Sequence, residues 1–528
     1  MMGNKKLQVW LPLIFSTILI VGMFLGYQLN APSGGKNDFF SSNNRNTLQK
    51  ALDLIRLKYV DSVNIDSLEG KAIQEMMSDL DPHSVYFPPV DLKEANEDLA
   101  GNFEGIGVEF NVFNDTVNVV YVFPNGPSDK AGLRIGDKIL KVNDSLLTGK
   151  RLSTDEIKKM IRGPRGSKAG IQILRTGQQQ TISVTRGTIP VPSVDAAYMV
   201  DKKTGYIKLN KFTETSYEEF MQAMEALKKL GLQSLILDLE GNGGGFMNEA
   251  VDMADEFLDG DKLVVYTEGV NSKKREYRCK RPGIFETGKL VVLVDEFSAS
   301  ASEVLAGALQ DWCRAKIIGR RTFGKGLVQE QYSLGDGSAI RLTVARYYTP
   351  LGRSIQRSYQ KGKKIYIDEV LQRQANGELL YADSNKIMQG KVFITNCRDT
   401  VYSGGGIMPN VFVPIDTTFY GQKLNALVSG NSLSSFVYNY YLQHRKQMEQ
   451  YNSADDFVRR FNAGELWNGF VNDAGSSNDF KNLNVHEKEL IQLRLKALLA
   501  RYRWRSEGFY HVLNSDDPAV KKALEWLK

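Results

Sequence analysis

The sequence predicts a multidomain α/β (α+β) protein, and three observations support that prediction. The chain has 528 residues, which at roughly 150 residues per domain corresponds to about three or four folded units. Hydrophobic residues make up 42% and charged residues 24% of the chain, which is typical of globular proteins and not of collagen, coiled coils or disordered chains. From about 195 to 414, apolar strands alternate with helical stretches, which indicates helices around a largely parallel sheet.

The first segment, residues 1–45, is predicted to be a membrane anchor and a linker. No charged residue interrupts the run from Val9 to Tyr27, which is close to the roughly 20 residues that a membrane-spanning helix needs. Lys5 and Lys6 precede this run, so we expect a single-pass inner-membrane anchor with the rest of the chain facing the periplasm. The flanking sequence lacks a clear small-x-small cleavage site, which favours an uncleaved anchor over a removed signal peptide.

Residues 46–100 are predicted to form short helices, because apolar residues recur at helical spacing in LQKALDLIRLKYV and IDSLEGKAIQEMMSDL. The dipeptides Asp81-Pro82 and Pro88-Pro89 are expected to end this segment. From 101 to 188 the pattern changes to short β-branched runs such as GIGVEFNVF, KILKVND and QTISVTR, with one helical stretch from Ser153 to Arg162. These residues predict a small β-rich domain.

Residues 189–415 form the α/β layer, with strands predicted at GYIKLNKF, SLILDL, LVVLVDE, AKIIG and LTVARYYT. A polar stretch at about 360–391 is interpreted as an irregular insertion. The last segment, 416–528, is again helical. Its aromatic and leucine stripes favour a packed core, with a dimer surface as the alternative.

Charge and cysteine content exclude several classes of site. Lys and Arg number 67 against 61 Asp and Glu, a net charge of +6, so the sequence does not indicate binding to nucleic acid. The three cysteines belong to no CxxC pair or zinc-ligand cluster, and we predict no metal and no cofactor. The sequence does not decide whether one disulfide forms, for example between Cys279 and Cys397.

The strongest local signal for chemistry is EFSASASEVLAGALQDW, which follows the strand LVVLVDE. Ser300 and Glu303 match a capping box, so one interpretation is that Ser300 only caps a helix. The other interpretation is a nucleophile at a strand-to-helix turn, where the first N–H groups of the helix can bind an oxyanion.

A serine nucleophile needs a base, and the histidines restrict the choice. None of the four histidines, His83, His444, His486 and His511, falls in the α/β region. A lysine can act as the base if its surroundings depress its pKa. TFGKGLVQ offers Lys325 between two glycines, although most lysines in such loops are solvated turn residues.

The glycine cluster DLEGNGGGF, from Asp238 to Phe246, follows another strand and precedes a helix. It is interpreted either as a tight turn or as a second oxyanion donor, since a glycine N–H can approach a ligand closely. Phosphate binding is not favoured, because neither GxxxxGK[ST] nor GxGxxG is present.

Taken together, SASASE, TFGKGLVQ, DLxGNGGG, LDPHSVYF and GGGIMPN, arranged around GIGVEF and AGLRIGD, resemble the C-terminal processing peptidases, or tail-specific proteases. The resemblance covers about residues 46–415 and implies a serine protease with a Ser-Lys dyad, a ClpP/crotonase-like core and an inserted PDZ domain at 101–188. On the matching positions, Ser300 is the nucleophile, Lys325 the general base and Gln329 the residue that orients the lysine amine. The N–H groups of Ala301 and Gly244 form the oxyanion hole. The family usually has an arginine where this chain has Glu240.

The PDZ residues can also be argued from the sequence. Gly105, Ile106 and Gly107 precede the strand that begins at Val108, so their N–H groups are expected to bind a peptide carboxylate. Ile106 and Val108 are expected to form an apolar pocket, and the peptide adds as a strand beside the helix that carries Ile157 and Ile161. Arg162 ends this helix, and it either holds an active arrangement or is a solvated arginine.

These observations predict a membrane-attached, extracytoplasmic endopeptidase that recognises protein or peptide substrates with apolar C-termini. The sequence does not decide whether the protein forms a homo-oligomer. Two alternatives are a non-catalytic PDZ scaffold and a ligand-binding protein on the same fold. The combination of Ser300, Lys325 and Gln329 argues against both, because binding alone would not need all three.

Overall fold

The computed structural model describes residues 47–382, 390–418, 431–473, 480 and 483–528. The described residues before Gln74 form one unit, and residues Gln74–Lys528 form a second. The anchor predicted between Val9 and Tyr27 lies outside the described residues. Among the helices in the described ranges, none combines the length and the apolar character needed to cross a bilayer.

The helical segment contains α1 (Thr47–Lys58), α2 (Ile65–Leu80), the short strand β1 (Val85–Phe87) and α3 (Pro89–Ala100). The expectation that Pro88-Pro89 ends this segment is wrong, because Pro89 begins α3. Proline suits the first turn of a helix, where its missing N–H is not needed for a helical hydrogen bond.

The β-rich domain follows as an antiparallel module. Its sheet has the order β3-β4-β5-β7-β8, so β3 is an edge strand of this sheet in the described residues, and Val112 O on this strand accepts a hydrogen bond from Asn431 Nδ2 at 3.1 Å. A separate pair joins β2 and β9, and β6 pairs with β5. The elements are β2 (Asn102–Gly105), β3 (Val108–Phe113), β4 (Thr116–Val122), α4 (Pro127–Ala131), β5 (Lys138–Val142), β6 (Ser145–Leu146), α5 (Thr154–Ile161), β7 (Lys168–Arg175), β8 (Gln178–Thr185) and β9 (Gly187–Pro190).

The centre of the α/β layer is a six-stranded sheet of order β10-β11-β12-β15-β16-β21. Only β10 runs antiparallel to its neighbour, which confirms the predicted, largely parallel sheet. The buried core lies between this sheet and three helices. The elements are β10 (Val194–Met199), β11 (Thr204–Leu209), α6 (Ser216–Lys229), β12 (Ser234–Asp238), α7 (Met247–Asp255), β15 (Lys289–Val294), α8 (Ala301–Asp311), β16 (Lys316–Gly319) and β21 (Val411–Phe412).

A second, antiparallel sheet lies in the same region and contains β1, β13 (Leu263–Glu268), β14 (Arg275–Arg278), β17 (Leu327–Ser333) and β18 (Ala339–Tyr348). The segment LTVARYYT therefore forms β18 of this sheet and not a strand of the parallel one. A tight turn, in which Leu334 N–H donates to Ser338 O, joins β17 to β18. Such a short connection permits only antiparallel pairing.

The predicted irregular insertion contains a helix, α9 (Lys363–Ala375), and is followed by a hairpin of β19 (Val392–Ile394) and β20 (Thr400–Tyr402). The expectation of an irregular stretch is therefore wrong for α9, which buries Tyr366, Val370 and Arg373. These three residues have helical spacing, but one of them is an arginine, and the apolar Ile365, Ile367 and Leu371 of the same helix are exposed. The buried face therefore does not coincide with the apolar residues of the sequence.

A disulfide joins Cys313 to Cys397, with the two Cα atoms 6.1 Å apart. It ties the end of α8 to the β19–β20 hairpin. Cys279 is buried and free, so the pairing of Cys279 with Cys397 is wrong. Burial and the nearby Asp255 carboxylate raise the pKa of the Cys279 thiol to about 12.

The C-terminal region packs against both preceding domains. The Tyr438 hydroxyl donates to Val119 O of the β-rich module at 3.2 Å, and Arg505 forms an ion pair with Glu109. These contacts support the expectation that the apolar stripes form core. The helices are α10 (Asn431–Met448), α11 (Ala454–Arg460), α12 (Ala463–Asp473), α13 (Val485–Leu513) and α14 (Pro518–Leu527). The apolar residues of α14 pack on the parallel sheet: Ala519, Val520, Ala523 and Leu527 against Tyr206, Ile236, Val291 and Ile318.

Candidate active site

Ser300 lies at the turn between β15 and α8, in a strained backbone conformation. Its φ of 56° and ψ of −113° are rare for a residue with a side chain. The Ser300 N–H donates to Glu303 Oε2 at 2.9 Å, and the Tyr347 hydroxyl lies 3.0 Å from Ser300 O. Strain of this kind persists where neighbouring bonds fix it, and it is typical of nucleophiles at strand-to-helix turns.

The Glu303 carboxylate joins this turn to the loop that carries Lys325. It is fully buried and accepts the N–H groups of Ser300 at 2.9 Å, Gly324 at 2.7 Å and Lys325 at 2.8 Å, as well as the Thr322 hydroxyl at 2.6 Å. Burial raises its pKa, and these four donors oppose that shift. The sequence indicated only a capping role, because the partners of the second carboxylate oxygen are distant in the chain.

Lys325 and Ser300 line one cavity of about 630 Å³. Within the described part of the chain, Lys325 forms no ion pair. Its pKa lies below the ordinary value, first because the amine is buried and second because Arg341 is close; Glu303 and Asp81 oppose the shift. The neutral amine, which is the form that can accept a proton, is therefore favoured more than in a solvated lysine.

Gln329 lines the same cavity from strand β17. Its Nε2 donates to His83 O at 2.7 Å, which fixes the amide and leaves Oε1 free to face an amine. A bulge between Val328 and Gln329 shifts the pairing of β17 with β18 at this point. The described side chains of Gln329 and Lys325 share no hydrogen bond, so the orienting contact stays a prediction.

His83 lies next to the cavity, which the sequence did not indicate. The turn expected there is present, since Asp81 Oδ1 accepts the N–H groups of His83 and Ser84 at 2.8 and 2.9 Å. The His83 Nε2 also bonds the Tyr366 hydroxyl at 2.9 Å. Burial, followed by the positive charge of Lys325, lowers the pKa of His83 to about 3, so its imidazole is neutral near neutral pH.

Asn242 holds the glycine loop against the nucleophile turn. Its side chain donates to Leu209 O at 2.9 Å and accepts the N–H of Gly244 at 2.9 Å. Its backbone carbonyl accepts the N–H of Ala299 at 3.0 Å and the Ser302 hydroxyl at 2.9 Å. The glycines of this loop stand out in the sequence, whereas no local pattern marks the buried asparagine that positions them.

The two predicted oxyanion donors, the N–H groups of Gly244 and Ala301, differ in whether they already have an acceptor. Gly244 has a φ of 96°, and a Cβ there would lie 2.8 Å from Ser300 Cβ and 2.6 Å from Ala299 O, so only glycine fits. Its N–H, however, already donates to Asn242 Oδ1, and it would have to leave that acceptor to bind an oxyanion. The N–H of Ala301, at the start of α8, has no acceptor among the described residues.

Glu240 stands where the resembled family usually has arginine. Its carboxylate lies 4.0 Å from Arg320, which pairs more closely with Glu296 at 2.6 Å. Burial, followed by the Asp238 carboxylate, raises the pKa of Glu240 well above its ordinary value. The departure from the family pattern is thus accompanied by an arginine at the end of β16, which is separated from β12 by one strand of the sheet.

The predicted peptide-binding residues of the β-rich module differ in how deeply they are buried. The side chains of Ile106, Ile157 and Ile161 are only 1, 1 and 5% exposed and belong to the core of the module, so the predicted apolar pocket is not open at these residues. A small β module needs its few large aliphatic residues for its own core. Val108 packs half-buried against this cluster. In the described residues, the N–H groups of Ile106 and Gly107 have no acceptor, as expected for a carboxylate-binding loop.

Gly105 and Arg162 lie where the module meets helix α3. Gly105 pairs with Gly187 between β2 and β9. Arg162 forms ion pairs with Glu94 at 3.3 Å and Glu97 at 3.6 Å, so it is a contact residue and not a solvated helix end. Helix α3 also lines the cavity of Ser300 through Ala95, Asp98 and Leu99, and it therefore connects Arg162 with the catalytic cavity.

Comparisons with known proteins identify the families that this chain matches. The model of peptidase family S41 matches residues 203–363, that of a PDZ domain matches residues 105–185, and that of a family of unknown function, DUF8443, matches residues 423–505. A solved structure, the photosystem II D1 C-terminal processing protease, is 31% identical; the match covers 60% of this chain and 85% of that chain, with a TM-score of 0.35.

Two curated relatives are similar over long stretches. The probable CtpA-like serine protease of Staphylococcus epidermidis is 36% identical over 300 residues, which cover 56% of this chain and 60% of the relative. The carboxy-terminal processing protease CtpA of Bacillus subtilis is 31% identical over 398 residues, which cover 75% of this chain and 84% of the relative. With the PDZ and protease domains in one chain, this similarity shows that the chain belongs to the carboxy-terminal processing proteases, the serine-type enzymes of peptidase family S41.

Proposed function

We propose that this protease is an extracytoplasmic endopeptidase in which Ser300 is the nucleophile and Lys325 is the general base. The observation that carries this proposal is the link through Glu303, whose buried carboxylate binds the backbone N–H groups of both residues at the edge of one cavity. Because burial and Arg341 lower the pKa of Lys325, the amine can be neutral at mildly alkaline pH and accept a proton.

The proposed reaction has two halves. In the first, Ser300 Oγ bonds to the substrate carbonyl carbon while its proton passes to Lys325 Nζ, and the Ala301 N–H stabilises the oxyanion. The Lys325 ammonium then protonates the leaving amine, which departs and leaves an acyl group on Ser300. In the second half, water attacks the acyl carbon and its proton passes to Lys325. The Lys325 ammonium then returns this proton to Ser300 Oγ as the bond between the acyl carbon and Oγ breaks, which releases the acid product and restores both residues. Gln329 Oε1 orients the lysine amine in both halves.

We also propose that the PDZ domain selects substrates by their C-terminal tails. The N–H groups of Ile106 and Gly107 suit a terminal carboxylate. The edge strand β3 suits an added peptide strand at the end that begins with Val108, since Asn431 binds the carbonyl of Val112 near its other end. Occupation of this site would act on the cavity through Arg162 and helix α3, whose other face lines it.

The experiment for the dyad is mass spectrometry of the products from an unfolded model substrate, with wild type, Ser300→Ala and Lys325→Ala compared. Both variants should fold and cleave nothing, and Gln329→Ala should be slowed less, because it removes orientation and not the proton acceptor. Turnover by well-folded Lys325→Ala at the wild-type rate would remove Lys325 as the base.

The experiment for tail recognition compares peptides that end in a free Ala, Val or Leu with the same peptides amidated or ending in Asp. The free apolar tails should be cleaved faster, and Val108→Asp should remove that difference. Val108 is the useful position because Ile106 is buried and its replacement would unfold the module. Equal rates for free and amidated peptides would contradict tail recognition.

The proposed location rests on the uncharged run from Val9 to Tyr27 and on the Cys313–Cys397 disulfide. Disulfides persist in oxidising compartments and are rare in the cytosol. The full chain should sediment with membranes and resist extraction by alkali, and protease added to spheroplasts should digest it. Protection of residues beyond 46 from that protease would contradict the orientation.

A further inference from the structure

One cation in the catalytic cavity has no anionic partner. Arg341 lines the cavity together with Ser300 and Lys325, and no carboxylate among the described residues lies within ion-pair distance of its guanidinium. The other charged pair on the wall, Lys211 and Asp98, is satisfied internally by its own ion pair. When Lys325 is neutral, as the proposed reaction requires, Arg341 is therefore the cavity cation that has no carboxylate within ion-pair distance among the described residues, and the Asp98 carboxylate, which Lys211 binds, acts on it only from farther away.

Arg341 is held in place by neutral groups. Its Nη2 donates to Gln331 Oε1 at 3.1 Å, and its guanidinium lies 4.8 Å from the centre of the Phe87 ring. The β-sheet register fixes both neighbours, since Arg341 is paired with Gln331 on β17 and with Val85 on β1. An arginine in this setting loses part of its hydration, and a single neutral acceptor and an aromatic face replace it incompletely.

The rest of the cavity wall is largely apolar. Apolar side chains on several elements line it, and they include Phe87, Leu99, Phe246, Met247, Val304, Leu327 and Val328. A charge pair formed in such surroundings is stronger than one in water, and an arginine fork matches a carboxylate in geometry. The missing partner is thus a carboxylate that arrives with the substrate.

We propose that Arg341 is a specificity-determining residue that binds a substrate carboxylate within the catalytic cavity, close to the scissile bond. This inference rests on the proposed function, because it places the carboxylate in the cavity of Ser300. The carboxylate is either the side chain of an Asp or Glu near the scissile bond or the free C-terminus of a short substrate. The chemistry at Arg341 is the same in both cases.

The test measures binding separately from cleavage. The full chain with Ser300→Ala is titrated into fluorescent peptides that share one apolar C-terminal residue, with Asp or Asn placed in turn at each internal position. At one or two positions, Asp should bind about tenfold more tightly than Asn. Adding Arg341→Gln should abolish this ratio, Arg341→Lys should keep part of it, and Arg346→Gln, an exposed arginine on the same strand, should leave it unchanged.

A second arm distinguishes the two sources of the carboxylate. If the free C-terminus binds Arg341, amidation should weaken binding in the Ser300→Ala chain and should have less effect once Arg341 is replaced. If an acidic side chain binds, Arg341→Gln should leave the effect of amidation unchanged. The inference is overturned if Asp and Asn peptides bind equally and the effect of amidation does not depend on Arg341. Failure of the proposed function would look different, because the wild-type chain would then cleave none of these peptides.

Discussion

The backbone N–H groups of Ser300 and Lys325 donate to the same oxygen atom, Oε2 of Glu303, at 2.9 and 2.8 Å. The proposed nucleophile and the proposed base lie on separate loops, and this one atom sets the distance between their backbones. The Tyr347 hydroxyl joins the same two residues a second time, because it contacts the backbone carbonyl oxygens of both Ser300 and Lys325. The relative position of the Ser300 and Lys325 backbones is therefore fixed by these hydrogen bonds.

Glu303→Gln should impair both stability and catalysis. An amide replaces one acceptor oxygen by a donor, so two of the four buried donors lose their partner, at a cost of about 1–3 kcal/mol in the free energy of unfolding. Displacement of the lysine loop should lower kcat by about tenfold to a hundredfold. Urea unfolding and peptide hydrolysis measure the two effects, with the exposed Glu330→Gln as the control. A Glu303→Gln chain with the wild-type kcat would show that this link does not position the site.

The pH dependence of hydrolysis should depend on Arg341. Activity should rise as Lys325 loses its proton, at a pH below the ordinary lysine value because burial and Arg341 disfavour the ammonium form. Arg341→Gln removes a neighbouring positive charge, so the pKa of Lys325 and the acidic limb of the kcat/KM profile should move to higher pH. The control Arg346→Gln should leave the limb in place. A limb that stays or moves to lower pH in Arg341→Gln would contradict this electrostatic account.

Glu240 should make the fold less stable as pH rises. Its pKa in the folded state is raised well above the ordinary value of 4.5, so its contribution to stability is complete below about that pH and is lost as pH rises toward the folded-state pKa. Glu240→Gln removes this dependence. The variant should match wild type near pH 5 in urea unfolding and exceed it at pH 8. Equal stability of the two chains at both values would show that Glu240 is not held protonated.

The Cys313–Cys397 disulfide should stabilise the chain substantially. It closes a loop with a sequence separation of 84, for which loss of chain entropy in the unfolded state amounts to about 4 kcal/mol. Of the three cysteines, only Cys279 should react with a thiol reagent in denaturant, and all three should react after reduction. Thermal unfolding should occur at a lower temperature after reduction. Three reactive thiols without reductant would contradict the bond.

Local patterns in the sequence are enough to predict the two turns that carry the proposed nucleophile and base. Ser300 follows an apolar strand and precedes a small-residue helix, and Lys325 lies between two glycines, so both could be found within a few residues of chain. The largely parallel sheet followed from the alternation of apolar strands and helices in the same way.

The surroundings of the site could not be found in this way, because they depend on pairing between distant segments. Arg341 reaches the cavity through the register of β18 with β1 and β17, and His83 does so through a turn that precedes β1. The burial of Ile106 follows from the small core of the β-rich module and not from its glycine motif. The sequence marks Glu303 only as part of a helix cap, because its further partners lie on another loop.

The central claim, that Ser300 is activated by Lys325, is tested most directly by the mass of the covalent adduct formed with a serine-reactive fluorophosphonate. Wild type should gain one adduct, located on the peptide that contains Ser300, at a rate that rises with pH as Lys325 deprotonates. Ser300→Ala and Lys325→Met should both fold and gain none at Ser300. An adduct on a different serine, or labelling of Ser300 in Lys325→Met at the wild-type rate, would contradict the account.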